Sequence, residues 1–124
     1  MWEKIIEFFD GSMLWAMAFF CVGHILGWYT TNSQFVWEFW KDKPVLANVV
    51  FGIPAGVMFW YGTRYVMEAT PELWTARFTA AVISYLTFPL MTWFYLGESM
   101  FTIKTMLCVC LAFMILIVQI LFHL

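Results

Sequence analysis

Four long stretches of this chain carry no Asp, Glu, Lys or Arg: Gly11 to Trp37, Pro44 to Thr63, Phe78 to Gly97 and Thr105 to Leu124. Each reaches the ~20 residues that an α-helix needs to cross the hydrocarbon of a bilayer. Inside hydrocarbon a backbone N–H or C=O has no water to bond, and the helix satisfies those groups within its own segment. A barrel would need strict alternation of polar and apolar side chains, and none runs through these stretches. The pattern therefore predicts an all-α, integral membrane, four-transmembrane-helix bundle. Its helices are expected near 11–31, 45–66, 73–96 and 102–123, with 1–10 as an interfacial segment.

The composition removes other classes. Of the 124 residues, 64% are hydrophobic and 11% charged, too few charges for the surface of a water-soluble domain. Four spans leave room only for short connections, so a single membrane domain over 1–124 is expected. The formal net charge is -2 with no basic run, which excludes nucleic acid as a partner. The acidic leader and long first apolar stretch argue against a cleaved signal peptide. Cys21, Cys108 and Cys110 fall in apolar spans without zinc-ligand spacing, and no nucleophile, phosphate loop or paired carboxylate can be assigned. The expectation is a protein that is not an enzyme, with no cofactor and no metal.

The joints between spans have interfacial character. Trp37, Trp40, Lys41, Asp42 and Lys43 mix rings and charges between the first two spans. Thr70-Pro71-Glu72 offers the third helix a hydroxyl N-cap, an early proline and an acid at its positive end. Gly97-Glu98-Ser99 predicts a glycine C-cap and a tight hairpin into the fourth helix. With four spans, Lys4, Arg64 and Arg77 face one side and Lys41, Lys43 and Lys104 the other. That balance leaves orientation weakly set. Two outcomes follow: insertion both ways round with pairing as an antiparallel dimer, or one orientation enforced by a partner.

Phe59-Trp60, Ala69-Thr70-Pro71, Ser84-Tyr85-Leu86 and Tyr95-Leu96-Gly97-Glu98 resemble the second to fourth helices of small multidrug resistance transporters, within the drug/metabolite transporter superfamily. The likeness lies mainly in residues 59–121, and Gly97-Glu98 stands where that superfamily has a Gly-Glu or Gly-Gln turn. It implies a homo-oligomeric transporter in a bacterial-type inner (plasma) membrane. Two departures are visible. Aligning Gly27 with the family's glycine puts His24 where the family carries a membrane-embedded glutamate. The last helix, Thr105 to Leu121, contains no glycine for dimer packing.

Several residues are candidates on physical grounds. His24 sits near the middle of the first span, where an ionisable group is costly; it either binds protons or substrate, or is a neutral hydrogen-bonding residue between helices. Gly23 and Gly27 flank it and allow a neighbouring helix to approach. Arg77 either snorkels to the headgroups, pairs with Glu68 or Glu72, or holds an anionic substrate group. Gly52, Pro54 and Gly56 predict close packing and a bend in the second helix, followed by the aromatic residues Phe59, Trp60 and Tyr61, which either face substrate or fill lipid-facing volume. Pro89, with Ser84, Tyr85 and Thr87, gives the third helix a similar bend and some polar groups. Gln119 is expected to bond between helices. Asn32, Ser33 and Gln34 are expected at the water interface.

Together these point to a small secondary-transporter-like protein moving a small metabolite or amphipathic compound as an oligomer in the lipid bilayer. The alternative from another class is a nonenzymatic accessory or pore-forming (holin-like) membrane protein.

Overall fold

A computed structural model describes residues 2–122 of the chain. Among these residues there is no strand, and four helical segments are long and apolar enough to cross a membrane: Gly11–Phe35, Pro44–Ala69, Leu73–Leu96 and Ile103–Leu121. The protein is an integral membrane bundle of four helices. Positions 1 and 123, at the limits of the expected interfacial and fourth-helix segments, lie outside the described residues.

The first helix is α1 (Trp2–Phe8), about two turns long. It turns Phe8 into the core, and the Lys4 ammonium donates 3.0 Å to the Leu121 carbonyl at the end of the last helix. Asp10 then caps α2 (Gly11–Asn32), its carboxylate accepting from the Met13 N–H at 2.9 Å. That bond satisfies one of the four free donors of a helix start. A short 3-10 turn, Ser33–Phe35, ends the span, and Ser33 there is buried rather than at the water interface.

The second span has three parts: α3 (Pro44–Ala47), a π-helical turn over Asn48–Gly52, and α4 (Ile53–Ala69). The π turn is the interruption that Gly52 and Pro54 lead one to expect. Proline at 54 has no N–H and its ring crowds the carbonyl one turn back, so the ladder widens and the Ile53 N–H reaches the Asn48 carbonyl. The span closes at Thr70, which ends α4 with an extended backbone. This corrects the capping expected at the next helix: α5 (Leu73–Leu96) starts after Glu72, with no side-chain cap. Helix α5 continues through Pro89 and stops at Gly97, whose φ of 72° is the left-handed conformation that glycine adopts freely. The Thr102 hydroxyl accepts from Thr105 N–H and caps α6 (Ile103–Leu121).

Helix α2 is the centre of the bundle, running antiparallel to α4 and parallel to α5. Residues of rising number on α2 meet falling numbers on α4 (Phe20 with Gly62, Gly23 with Phe59) and rising numbers on α5 (His24 with Ala80, Tyr29 with Tyr95). Helix α6 packs chiefly on α5 and α1 and joins α5 through Thr75, whose hydroxyl donates 3.2 Å to Gln119. The bond expected of Gln119 is therefore present.

A buried core and an aromatic cluster mark the two ends. Phe8, Met13, Ala16, Phe20, Val66 and Ala76 form the core of the half nearer the chain ends, together with Ile83 and Ile120. At the other end Trp28, Tyr29, Trp37 and Tyr95 pack ring to ring, and Trp40 and Phe51 extend the cluster. Burial against lipid tails gains little, so close packing and hydrogen bonds have to hold such helices together.

Candidate functional site: a groove along the α2–α5 seam

The faces of α2 and α5 do not close on each other along their whole length. Between them lies a half-open groove of about 1180 Å³ with Phe59 and Thr63 of α4 contributing to its wall. Its α2 side is built by Phe20, His24, Gly27, Trp28 and Thr31, which recur at i, i+4, i+7, i+8 and i+11 and therefore share one helical face. Its α5 side runs from Leu73 to Pro89, about 24 Å of helix at 1.5 Å per residue. That length compares with a hydrocarbon layer roughly 30 Å thick.

The lining is mainly apolar, with polar groups placed along it. His24 crosses the seam near mid-depth, its Nε2 lying 2.6 Å from the Ala80 carbonyl. A carbonyl only accepts, so Nε2 carries the proton and donates, which in the neutral ring makes Nδ1 an acceptor. Nδ1 has no hydrogen-bond partner among the described residues. The same ring lies edge-on to Phe59, 4.8 Å between centroids. Ser84 and Tyr85 lie about one to two turns further along α5, and the Thr87 hydroxyl bonds back to the Ile83 carbonyl at 3.0 Å. Pro89 leaves the Tyr85 carbonyl without its helical donor. At the far end the Trp28 indole donates 3.0 Å to the Thr92 hydroxyl, and the Tyr29 and Tyr95 hydroxyls meet at 2.6 Å.

Arg77 stands on the groove wall near the chain-end side and is exposed. Among the described residues it makes neither an ion pair nor a hydrogen bond, so the pairing with Glu68 or Glu72 is not formed. The i, i+4 pair of Arg64 with Glu68 is not formed either; the Arg64 guanidinium instead lies 5.7 Å from the Trp60 ring.

The structure thus brings His24, Arg77 and Tyr85 to one groove and leaves Trp60 and Tyr61 out of it. Trp60 is 60% exposed on the outer face of α4. Tyr61 stacks on Phe19 at 5.6 Å on the same side. Phe59, one position earlier, is the aromatic that reaches the groove. The glycines divide similarly. A Cβ on Gly23 would sit 3.1 Å from the Phe59 ring, and one on Gly52 3.3 Å from the Asn48 side chain, so both allow close approach. Gly27 and Gly56 have open space there, and Gly27 widens the groove instead.

Sequence reasoning passed over Trp28, Trp74, Phe88 and Gly62. The first three carried a usable signal: Trp28 follows His24 by four residues, while Trp74, Arg77, Ala81 and Phe88 share one face of α5. Gly62 carried none, because its partner Phe20 lies on another helix. Among the described residues no three His, Cys, Asp or Glu side chains gather to hold a metal ion. Comparisons with protein-family models, curated proteins and solved structures give no match.

Proposed function

We propose that the protein is a small carrier of the secondary-transporter type, working as a homo-oligomer, that moves an amphipathic compound or small metabolite along the α2–α5 groove. The observation that carries this reading is a long groove between two membrane-spanning helices, apolar in the main, with His24, Ser84, Tyr85 and Thr31 distributed along it. Such a lining receives an apolar body and gives a polar end successive partners. Because the groove is open sideways, one chain lacks a complete wall, and a second copy supplies it. The resemblance to small multidrug resistance transporters agrees, with His24 taking the position of the family's glutamate. A bacterial-type inner membrane suits the same reading, and the even division of Lys and Arg suits an antiparallel pair.

The test is uptake into vesicles reconstituted with the full chain, under an imposed pH gradient. Saturable flux of an amphipathic probe that falls in His24→Ala is expected. Should His24→Gln keep both the flux and its pH dependence, His24 acts only as a hydrogen-bonding bridge. A leak that does not saturate overturns the carrier in favour of a pore. No flux at all favours an accessory subunit, a reading to which α6 lends support, since only Val109, Ala112 and Ile120 along it are buried.

A further inference from the structure

Arg77 is the only residue with a permanent charge among those lining the groove, and it has no partner among the described residues. It lies one turn into α5, at about the depth where a bilayer's headgroups give way to chains, next to the exposed ring of Trp74. From there the wall continues along Ala80, Ala81 and Phe88, a strip without charge. A cation at the interface joined to an uncharged trough through the membrane is complementary to one class of molecule: an anionic head on a long apolar chain. We propose that the groove binds one anionic phospholipid of the surrounding membrane, with its phosphate on Arg77 and an acyl chain laid along the α2–α5 strip. Arginine's planar fork suits the phosphate, donating two parallel hydrogen bonds.

The groove lining holds no acid, so the charge of Arg77 is left for an anion that the occupant brings, and a phosphate brings one. Position in the membrane alone does not explain the site, because Arg64 provides an internal comparison. It lies roughly 7 Å inside the end of its helix, a similar distance to that of Arg77, but is exposed on α4 and is not among the residues lining the groove. This inference uses the same groove as the carrier reading but does not rest on transport; it concerns binding, which is measured without flux.

The experiment is native mass spectrometry of the full-length chain in detergent, titrated with dioleoyl phosphatidylglycerol or dioleoyl phosphatidylcholine. One phosphatidylglycerol per chain is expected to bind more tightly than phosphatidylcholine. Arg77→Gln should weaken that binding about fivefold, the worth of one interfacial cation. Arg64→Gln should leave it unchanged, and Arg77→Lys should recover part of the loss. Ala81→Phe, which fills the strip without altering charge, should also weaken it, and inorganic phosphate should not compete. Helical circular dichroism checks that each variant is folded. Equal affinity for the two lipids, or equal losses in Arg64→Gln and Arg77→Gln, overturns the proposal. So does undiminished binding in Ala81→Phe, or displacement by inorganic phosphate, which would indicate a simple anion site. Lipid binding without flux overturns the carrier alone; flux without selective lipid binding overturns this inference alone.

Discussion

Helix α2 has two neighbours and meets them in opposite ways. Against α4 it is closed: Gly62 admits the Phe20 ring, Gly23 admits Phe59, and Phe19 stacks on both Tyr61 and Tyr65 at 5.6 and 5.5 Å. Against α5 it is bridged rather than closed, by His24 to the Ala80 carbonyl, Trp28 to Thr92 and Tyr29 to Tyr95, with the groove between. The first seam depends on shape, distributed over many contacts that are lost together. The second depends on a few directional bonds, each of which can be exchanged for another partner. A bundle built this way has one helix pair held by shape and another held by a few directional bonds.

The comparison can be broken most severely at Gly62. A Cβ there would lie 2.6 Å from the Phe20 ring, which is 1% exposed and would have to shift from its place in the core. Gly62→Ala should cost about 1–3 kcal/mol as overpacking, and Gly62→Val more, read as a lowered thermal unfolding transition in detergent. An unchanged transition would mean that the closed seam yields easily.

The bridged seam should respond more mildly and through its partners. Trp28→Phe keeps the ring and removes the indole N–H, leaving the buried Thr92 hydroxyl without its donor; a loss of about 1 kcal/mol is expected in the same assay. At His24, alanine should cost about as much, whereas glutamine can still donate to the Ala80 carbonyl and should retain most of the stability. If alanine and glutamine behave alike, the bridge contributes nothing and the seam is held elsewhere.

The smallest effect is expected at Gly27, which lies on the same helix as Gly23 yet faces open space. Gly27→Ala should leave the unfolding transition unchanged or raise it by at most about 1 kcal/mol, the helix-propensity difference between the two residues. Gly23→Ala should lower it, because the Phe59 ring stands 3.1 Å away. The pair, four residues apart, sharpens the contrast between a packed and an open face.

The architecture was legible in the sequence because missing charge is a one-dimensional signal. The third helix is observed at Leu73–Leu96, as expected, and the other limits moved by a few residues, most where the 3-10 turn Ser33–Phe35 extends the first span. Local chemistry was legible where one residue decides it, as at Gly97. It failed at Thr70, because a Thr-Pro-Glu sequence serves equally as the end of one helix and the approach to the next. The groove was legible only in part. His24, Arg77 and Tyr85 were singled out by their chemistry, and their shared location is a property of how α2 and α5 pack. Trp60 and Phe59 could not be separated without the rotation of α4, which one-dimensional reasoning does not supply.

That rotation has an identifiable origin. Ala47 and Ala55 both face the interior although eight positions separate them. Eight residues of unbroken α-helix, at about 100° each, overshoot two full turns by about 80° and would set the two alanines at opposite margins of one face. The wide turn at Asn48–Gly52 absorbs most of that overshoot. Pro54 therefore acts as a phase adjuster, aligning the azimuth of one end of the span with the other so that a single helix lies flush against α2 along both.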